Sequence, residues 1–216
     1  DTFYENQDGL TPEEYAERYF TVASQIRSLD RSARLGFGTV VQPTPIRLRY
    51  LERSWDRLVQ LAGDPPSASV LVDLWSIHGF ILNEVPGQWG TGAPPGFEND
   101  HADAVIITDP ADTYSSAIFA DRIRAFRSWL ASHGERNKPL WITEYGSLLP
   151  PIDPPGGPDY VNVSDVDTAA YMTATFDFLL SAQDPATGMP ADENRLVQRW
   201  FWYSLNDHRY TFGGSL

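Results

Sequence analysis

"PLWITEYG", Pro139 to Gly146, is a short apolar run that ends on a carboxylate. Leu140 to Thr143 are aliphatic, aromatic and β-branched, and a proline and a glycine bracket the run, so the spacing predicts a strand. Glu144 then stands at the C-terminal end of that strand, where the chain turns out of the fold. With a period of two, Leu140, Ile142 and Glu144 share one face, and Trp141, Thr143 and Tyr145 the other. A carboxylate in such a place is costly unless it is hydrogen-bonded or used. A salt-bridged or capping acid and a functional acid are the two readings to separate.

The pattern around this strand sets the fold class. "LTPEEYAERYFTVASQIRSLD" (Leu10–Asp30) predicts a helix, with Thr11 as N-cap, Pro12 at the first helical position and Glu14 closing a capping box. A strand is expected over Ala33–Pro43, a helix over Ile46–Gly63 and a second, almost continuously apolar strand within Ser67–Leu82. A helix over Thr113–Gly134 precedes the "PLWITEYG" strand. Ser164 and Asp167 open a further helix to Gln183, and "RLVQRWFWYSLND" (Arg195–Asp207) gives the fourth strand. The order is αβαβαβαβ, and apolar strands without alternation predict a parallel sheet covered by helices. Proline and glycine concentrate in the loops that follow strands, as in (β/α)8 barrels, where those loops build the active-site face. A whole barrel takes about 250 residues and eight strands. Four strands therefore predict part of an α/β (β/α)8 TIM barrel, strands 5 to 8 with helices 4 to 7, in a single domain over 1–216. The first half is expected upstream or on another chain, and a smaller open α/β sheet is the alternative.

Composition narrows the function classes. The net charge is −13, which argues against nucleic acid and against anionic membrane surfaces, since both want a basic face. No apolar run approaches the roughly 18 residues of a transmembrane helix. Cysteine is absent, so thiolate zinc sites and cysteine nucleophiles are excluded. No signal peptide is visible, and "DTFYENQDG" is no natural start, so a leader is left open. An acidic, cysteine-free chain with seven Trp and ten Tyr suits a secreted, extracellular enzyme. The histidines are scattered, and "NDHAD" (Asn99–Asp103) reads as a solvated loop rather than a metal site. Ser147 and Ser204 lack the context of a nucleophile elbow. No metal or cofactor is implied.

Three strand-end motifs together resemble the (β/α)8-barrel glycoside hydrolases called clan A. "PLWITEYG" looks like the clan's seventh-strand motif, whose Glu is the catalytic nucleophile. "VLVDLWSIHGFIL" is similar to its sixth strand, where a His or Tyr at the strand end lies near that nucleophile, and His78 matches. "RWFWYSLND" resembles its eighth strand, whose aromatic floors the sugar at the cleavage point. Trp202 or Tyr203 matches that aromatic, with Trp202 preferred. The resemblance implies a retaining glycosidase acting on a β-linked poly- or oligosaccharide. Glu144 would be the nucleophile, and His78, Tyr145, Trp202 and Tyr203 would meet the sugar; Trp89, an aromatic in a Gly/Pro-rich loop, and Asn83 are further candidate substrate contacts. An ionised carboxylate beneath the anomeric carbon suits an oxocarbenium-like transition state, and a second, protonated carboxyl must serve the leaving oxygen. The clan's acid ends the fourth strand as an Asn-Glu pair. Asn83-Glu84 has the right letters but sits only one helix and one strand before Glu144. The acid/base is therefore expected just upstream of Asp1, with Glu5 as a poor substitute in a polar loop. Two rivals remain. One is a non-catalytic carbohydrate-binding or structural barrel. The other is a plain α/β domain, in which Glu144 makes a buried salt bridge away from any cleft.

Overall fold

A computed structural model describes residues 9–85, 90–100, 102–148 and 164–204. The capping signals fold as their chemistry requires. Helix α1 (Pro12–Leu29) starts at Thr11, whose side chain accepts the Glu14 N–H, while the Glu14 carboxylate accepts the Thr11 N–H at 2.9 Å. Strand β1 (Gly36–Val40) leads to α2 (Pro45–Ala62), which ends at Gly63 with φ 99°, in the left-handed region that favours glycine. The apolar run after Ser67 is not all strand. Asp64 caps a short helix α3 (Pro65–Val70), and β2 covers only Leu74–His78. An Asp N-cap followed by proline is a helix start, and it prevails over the apolar composition. Helix α4 (Ser116–Ser132), strand β3 (Leu140–Tyr145), helix α5 (Asp165–Ser181) and strand β4 (Arg199–Trp202) complete the described elements, apart from two 3-10 turns.

All strand pairs are parallel, and the order across the sheet is the order in sequence, β1-β2-β3-β4. The expected partial (β/α)8 TIM barrel, strands 5 to 8 with helices 4 to 7, is corrected by this finding to the open-sheet alternative. Closure needs every strand to have two neighbours, and among the described residues β1 and β4 each pair on one side only. Over the described residues the molecule is an α/β protein with an open four-stranded parallel sheet and five α-helices. Alternation of helix and strand, and proline-rich loops after strands, are common to both architectures and did not distinguish them.

The helices bury one face of the sheet under an aromatic core. Trp75 is fully buried, with its ring 5.1 Å from Phe37 of β1, 5.5 Å from Trp55 of α2 and 5.1 Å from Trp129 of α4. Its indole N–H donates to Glu135 at 3.0 Å, which supplies the partner that a buried tryptophan needs. Tyr15 and Tyr19 of α1 reach Phe37 from above. The opposite face is mixed, with Leu74 and Ser76 buried and Arg199 exposed. There Thr39 and Ser76 exchange a hydroxyl hydrogen bond of 2.7 Å, and the Arg199 guanidinium lies 4.9 Å from the centre of the Trp141 ring.

The loop after β2 is fixed from inside by a buried ion pair. Arg47 and Glu84 are both fully buried and bridged to each other. One Glu84 oxygen also accepts from Gln42 at 2.8 Å and from Thr44 at 2.5 Å, and the other accepts the Val105 N–H at 2.8 Å. Burial lowers the Arg47 pKa, and the charge of Glu84 opposes that shift. Arg47 also donates to Thr91 and to the Gly92 carbonyl. Removing one charge strands the other in the interior, which costs about 3–5 kcal/mol. Arg47→Met is expected to lower unfolding free energy by about that amount in denaturant titration; a loss below about 1 kcal/mol would contradict the role given to the pair.

Candidate functional site

In a parallel sheet every strand ends at the same edge, and open α/β sheets bind ligands outside the carboxyl ends of their strands. Here β2 ends on His78 and β3 on Glu144 and Tyr145. His78 and Glu144 are register partners, and Nδ1 of His78 lies 3.4 Å from Oε2 of Glu144. That separation is just beyond ordinary hydrogen-bond length, as in many sites that tighten only with substrate bound.

The face that Glu144 occupies is not the one that simple alternation gives. Ile77 pairs with Ile142, but the next residue of β2, His78, pairs with Glu144, so β3 has one extra residue there. The other neighbour shows the same skip, with Ile142 opposite Trp200 and Tyr145 opposite Trp202. This is a β-bulge at Thr143–Glu144. Its consequence is visible in the packing. Ile142 and Tyr145, three residues apart, both face Gly79 and the Phe119 ring of α4. A regular strand would put them on opposite sides. Leu140, Ile142 and Tyr145 are thus buried beneath the helices, and Thr143 and Glu144 turn together to the open face. The expected sharing of a face by Leu140, Ile142 and Glu144 is corrected accordingly.

Charge and burial differ sharply within the pair. The Glu144 side chain is 42% exposed and that of His78 only 20%. Glu144 is therefore not a buried salt bridge of the kind that a plain α/β domain would give it. Burial pushes the His78 imidazole down to about 4. At neutral pH the contact joins a neutral imidazole to Glu144 and is not an ion pair. The ring of His78 also meets Phe80 edge to face at 6.0 Å.

The remaining expected contacts are distributed unevenly. Tyr145 is fully buried, with its ring 5.0 Å from Phe119 and its hydroxyl 3.4 Å from Thr175, so it supports the site from the helix side. Trp202 is half-buried on that same side, 5.2 Å from Tyr145 and 5.9 Å from Tyr171. Tyr203 is half-buried, and its N–H donates to the Tyr145 carbonyl at 2.7 Å. Asn83 accepts the Ile107 N–H with its side chain at 2.5 Å and the Thr91 N–H with its carbonyl at 2.8 Å, which ties the long loop together. Glu84, which carries the letters of an Asn-Glu pair, is consumed by Arg47, Gln42, Thr44 and Val105. Trp89, Glu5 and the end of the expected fourth strand, 205–207, lie outside the described residues. No group of three or more His, Asp or Glu suited to a metal ion occurs among the described residues. The sequence reading missed Gly79, Thr143 and Arg122, which surround the strand ends. A glycine directly after the strand-end histidine was the available signal.

No protein-family model matches the chain, and no curated protein matches it. Among solved structures it is similar to the crystal structure of a glucosidase from Croceicoccus marinus, with a TM-score of 0.54 and 15% sequence identity. The match covers 93% of this chain and 30% of the glucosidase, so the chain spans under a third of that protein's length. At this identity the likeness is one of fold alone.

The depressed His78 pKa has a thermodynamic consequence. The unfolded chain takes up a proton near pH 6.5, whereas folded His78 resists it until about 4. Stability from the neutral imidazole is present above pH 6.5 and is lost as pH falls toward 4. The wild type should lose up to about 3 kcal/mol more than His78→Gln across that window, read by denaturant titration at successive pH values. Parallel pH profiles for the two proteins would contradict this.

Proposed function

We propose that the chain is part of a clan-A-like glycoside hydrolase that cleaves a β-linked poly- or oligosaccharide with retention. Glu144 acts as the nucleophile, and His78 orients it or a sugar hydroxyl. The observation that carries this reading is the half-exposed carboxylate of Glu144, at the carboxyl edge of a parallel sheet and 3.4 Å from the strand-end His78. The likeness in fold to a glucosidase supports it.

The chemistry follows from the charges. Cleavage builds positive charge on the anomeric carbon and ring oxygen, and an ionised carboxylate beneath that carbon stabilises the charge or forms a covalent bond to it. A protonated histidine 3.4 Å away would offset much of the carboxylate's charge. A neutral one leaves it available while restricting where the carboxylate sits. The leaving oxygen needs a proton from a second carboxyl about 5–5.5 Å from the first. Glu84 is unsuited to that role, being fully buried and bridged to Arg47. The resemblance assigns the donor to a carboxyl at the end of the clan's fourth strand.

The test is Glu144→Gln in the full-length protein, assayed on a panel of β-linked polysaccharides and aryl β-glycosides. Turnover should fall by a factor on the order of 10³–10⁶, as for the loss of a covalent nucleophile, with the unfolding midpoint kept. Unchanged turnover would overturn the assignment. A wild-type protein that binds these glycans without cleaving them would favour a binding module instead.

A further inference from the structure

The nearness of His78 and Glu144 depends on a break in the β2–β3 ladder, and the residues around that break hold it from both strands. On the β2 side, the Gly79 N–H donates to the Glu144 carbonyl at 2.8 Å, directly after the skipped register. The Phe80 carbonyl is held in turn by Arg122 at 2.9 Å, and the same guanidinium nitrogen reaches Gln42 at 3.1 Å. The turn leaving β2 therefore cannot slide along the sheet without breaking these hydrogen bonds. On the β3 side, the hydroxyl of Thr143, the extra residue, donates to the Ile77 carbonyl at 3.2 Å.

Gly79 is also pressed against the core. A Cβ at this position would stand 2.8 Å from the Phe119 ring, 3.1 Å from Cβ of Tyr145 and 3.3 Å from Cγ2 of Ile142. The ring edge of Phe119 is held among packed side chains, and Cβ of Tyr145 moves only with its backbone. Any larger residue must push Ile142 and Tyr145 away, and these are the two residues on either side of the bulge.

We infer that Gly79 and Thr143 are positioning residues that together fix the extra residue of β3 and thereby hold the Glu144 carboxylate beside His78. The kinetic side of this inference rests on the glycosidase reading; the geometric side stands without it. A glycine and threonine that served packing alone would affect stability and leave the carboxylate where it is.

The experiment compares Gly79→Ala, Thr143→Val and Thr143→Ser in the full chain by crystallography and steady-state kinetics. In Gly79→Ala and Thr143→Val, the distance between Nδ1 of His78 and Oε2 of Glu144 should grow from 3.4 Å to beyond about 4 Å, the limit of a useful contact. On an aryl β-glycoside, kcat should fall roughly 10²-fold with KM little changed, as expected for a carboxylate displaced by about 1 Å. Thr143→Ser retains the hydroxyl and should restore both distance and kcat. Folded variants that keep the 3.4 Å contact would overturn the inference. If Gly79→Ala fails to fold, the Thr143 pair decides the matter by the same two readouts. If the wild type turns over nothing on the panel, the glycosidase reading fails, and the crystallographic distances still decide the positioning.

Discussion

One extra residue in β3 determines the chemistry available at the edge of this sheet. Without the bulge at Thr143, Glu144 would follow Leu140 and Ile142 beneath the helices. An ionised carboxylate there would face Phe119 and the aromatic core, at a desolvation cost of several kcal/mol. With the bulge, Tyr145 takes the buried position and Glu144 turns to the open face against His78. The fold thus satisfies two demands from one strand: an apolar side for the helices and an acid at the edge.

Two acids, one in the loop after β2 and one at the end of β3, meet opposite fates. Glu84 follows β2 closely and is drawn inward, where Arg47, Gln42, Thr44 and the Val105 N–H saturate both of its oxygens. A charge so enclosed is structural, because any proton transfer would disrupt several buried partners at once. Glu144 remains 42% exposed. The difference lies in the surrounding donors, not in the residue type. It explains why one acid anchors a loop while the other can meet a ligand.

Much of the architecture was legible because it is local. Thr11 with Glu14, and Ser164 with Asp167, mark helix starts by short-range hydrogen bonds that any chain segment can form. Asp64–Pro65 carries the same kind of signal, but the apolar residues after it obscured the short helix α3. The barrel was over-read because parallel strands separated by helices occur in open sheets as well as closed ones, and closure depends on pairings at the sheet edges. His78 and Glu144 could be brought together by strand order alone. The face of Glu144 could not, since the bulge arises from Thr143 meeting Ile77 and Gly79 meeting Glu144 across two strands. Trp202 shows the same limit: its strand was expected, yet its ring packs toward Tyr145 and Tyr171.

The central claim is that Glu144 bonds to the anomeric carbon during turnover. Its most direct test is intact-protein and peptide mass spectrometry after incubation with an aryl β-glycoside that carries 2-fluoro substitution and a good leaving group. The fluorine slows release of a glycosyl-enzyme in a retaining mechanism, so the intermediate accumulates. The account predicts one added glycosyl mass, located on the peptide containing Glu144. A glycosyl mass on another carboxylate, or continued hydrolysis of the unfluorinated glycoside with no adduct at all, would contradict it.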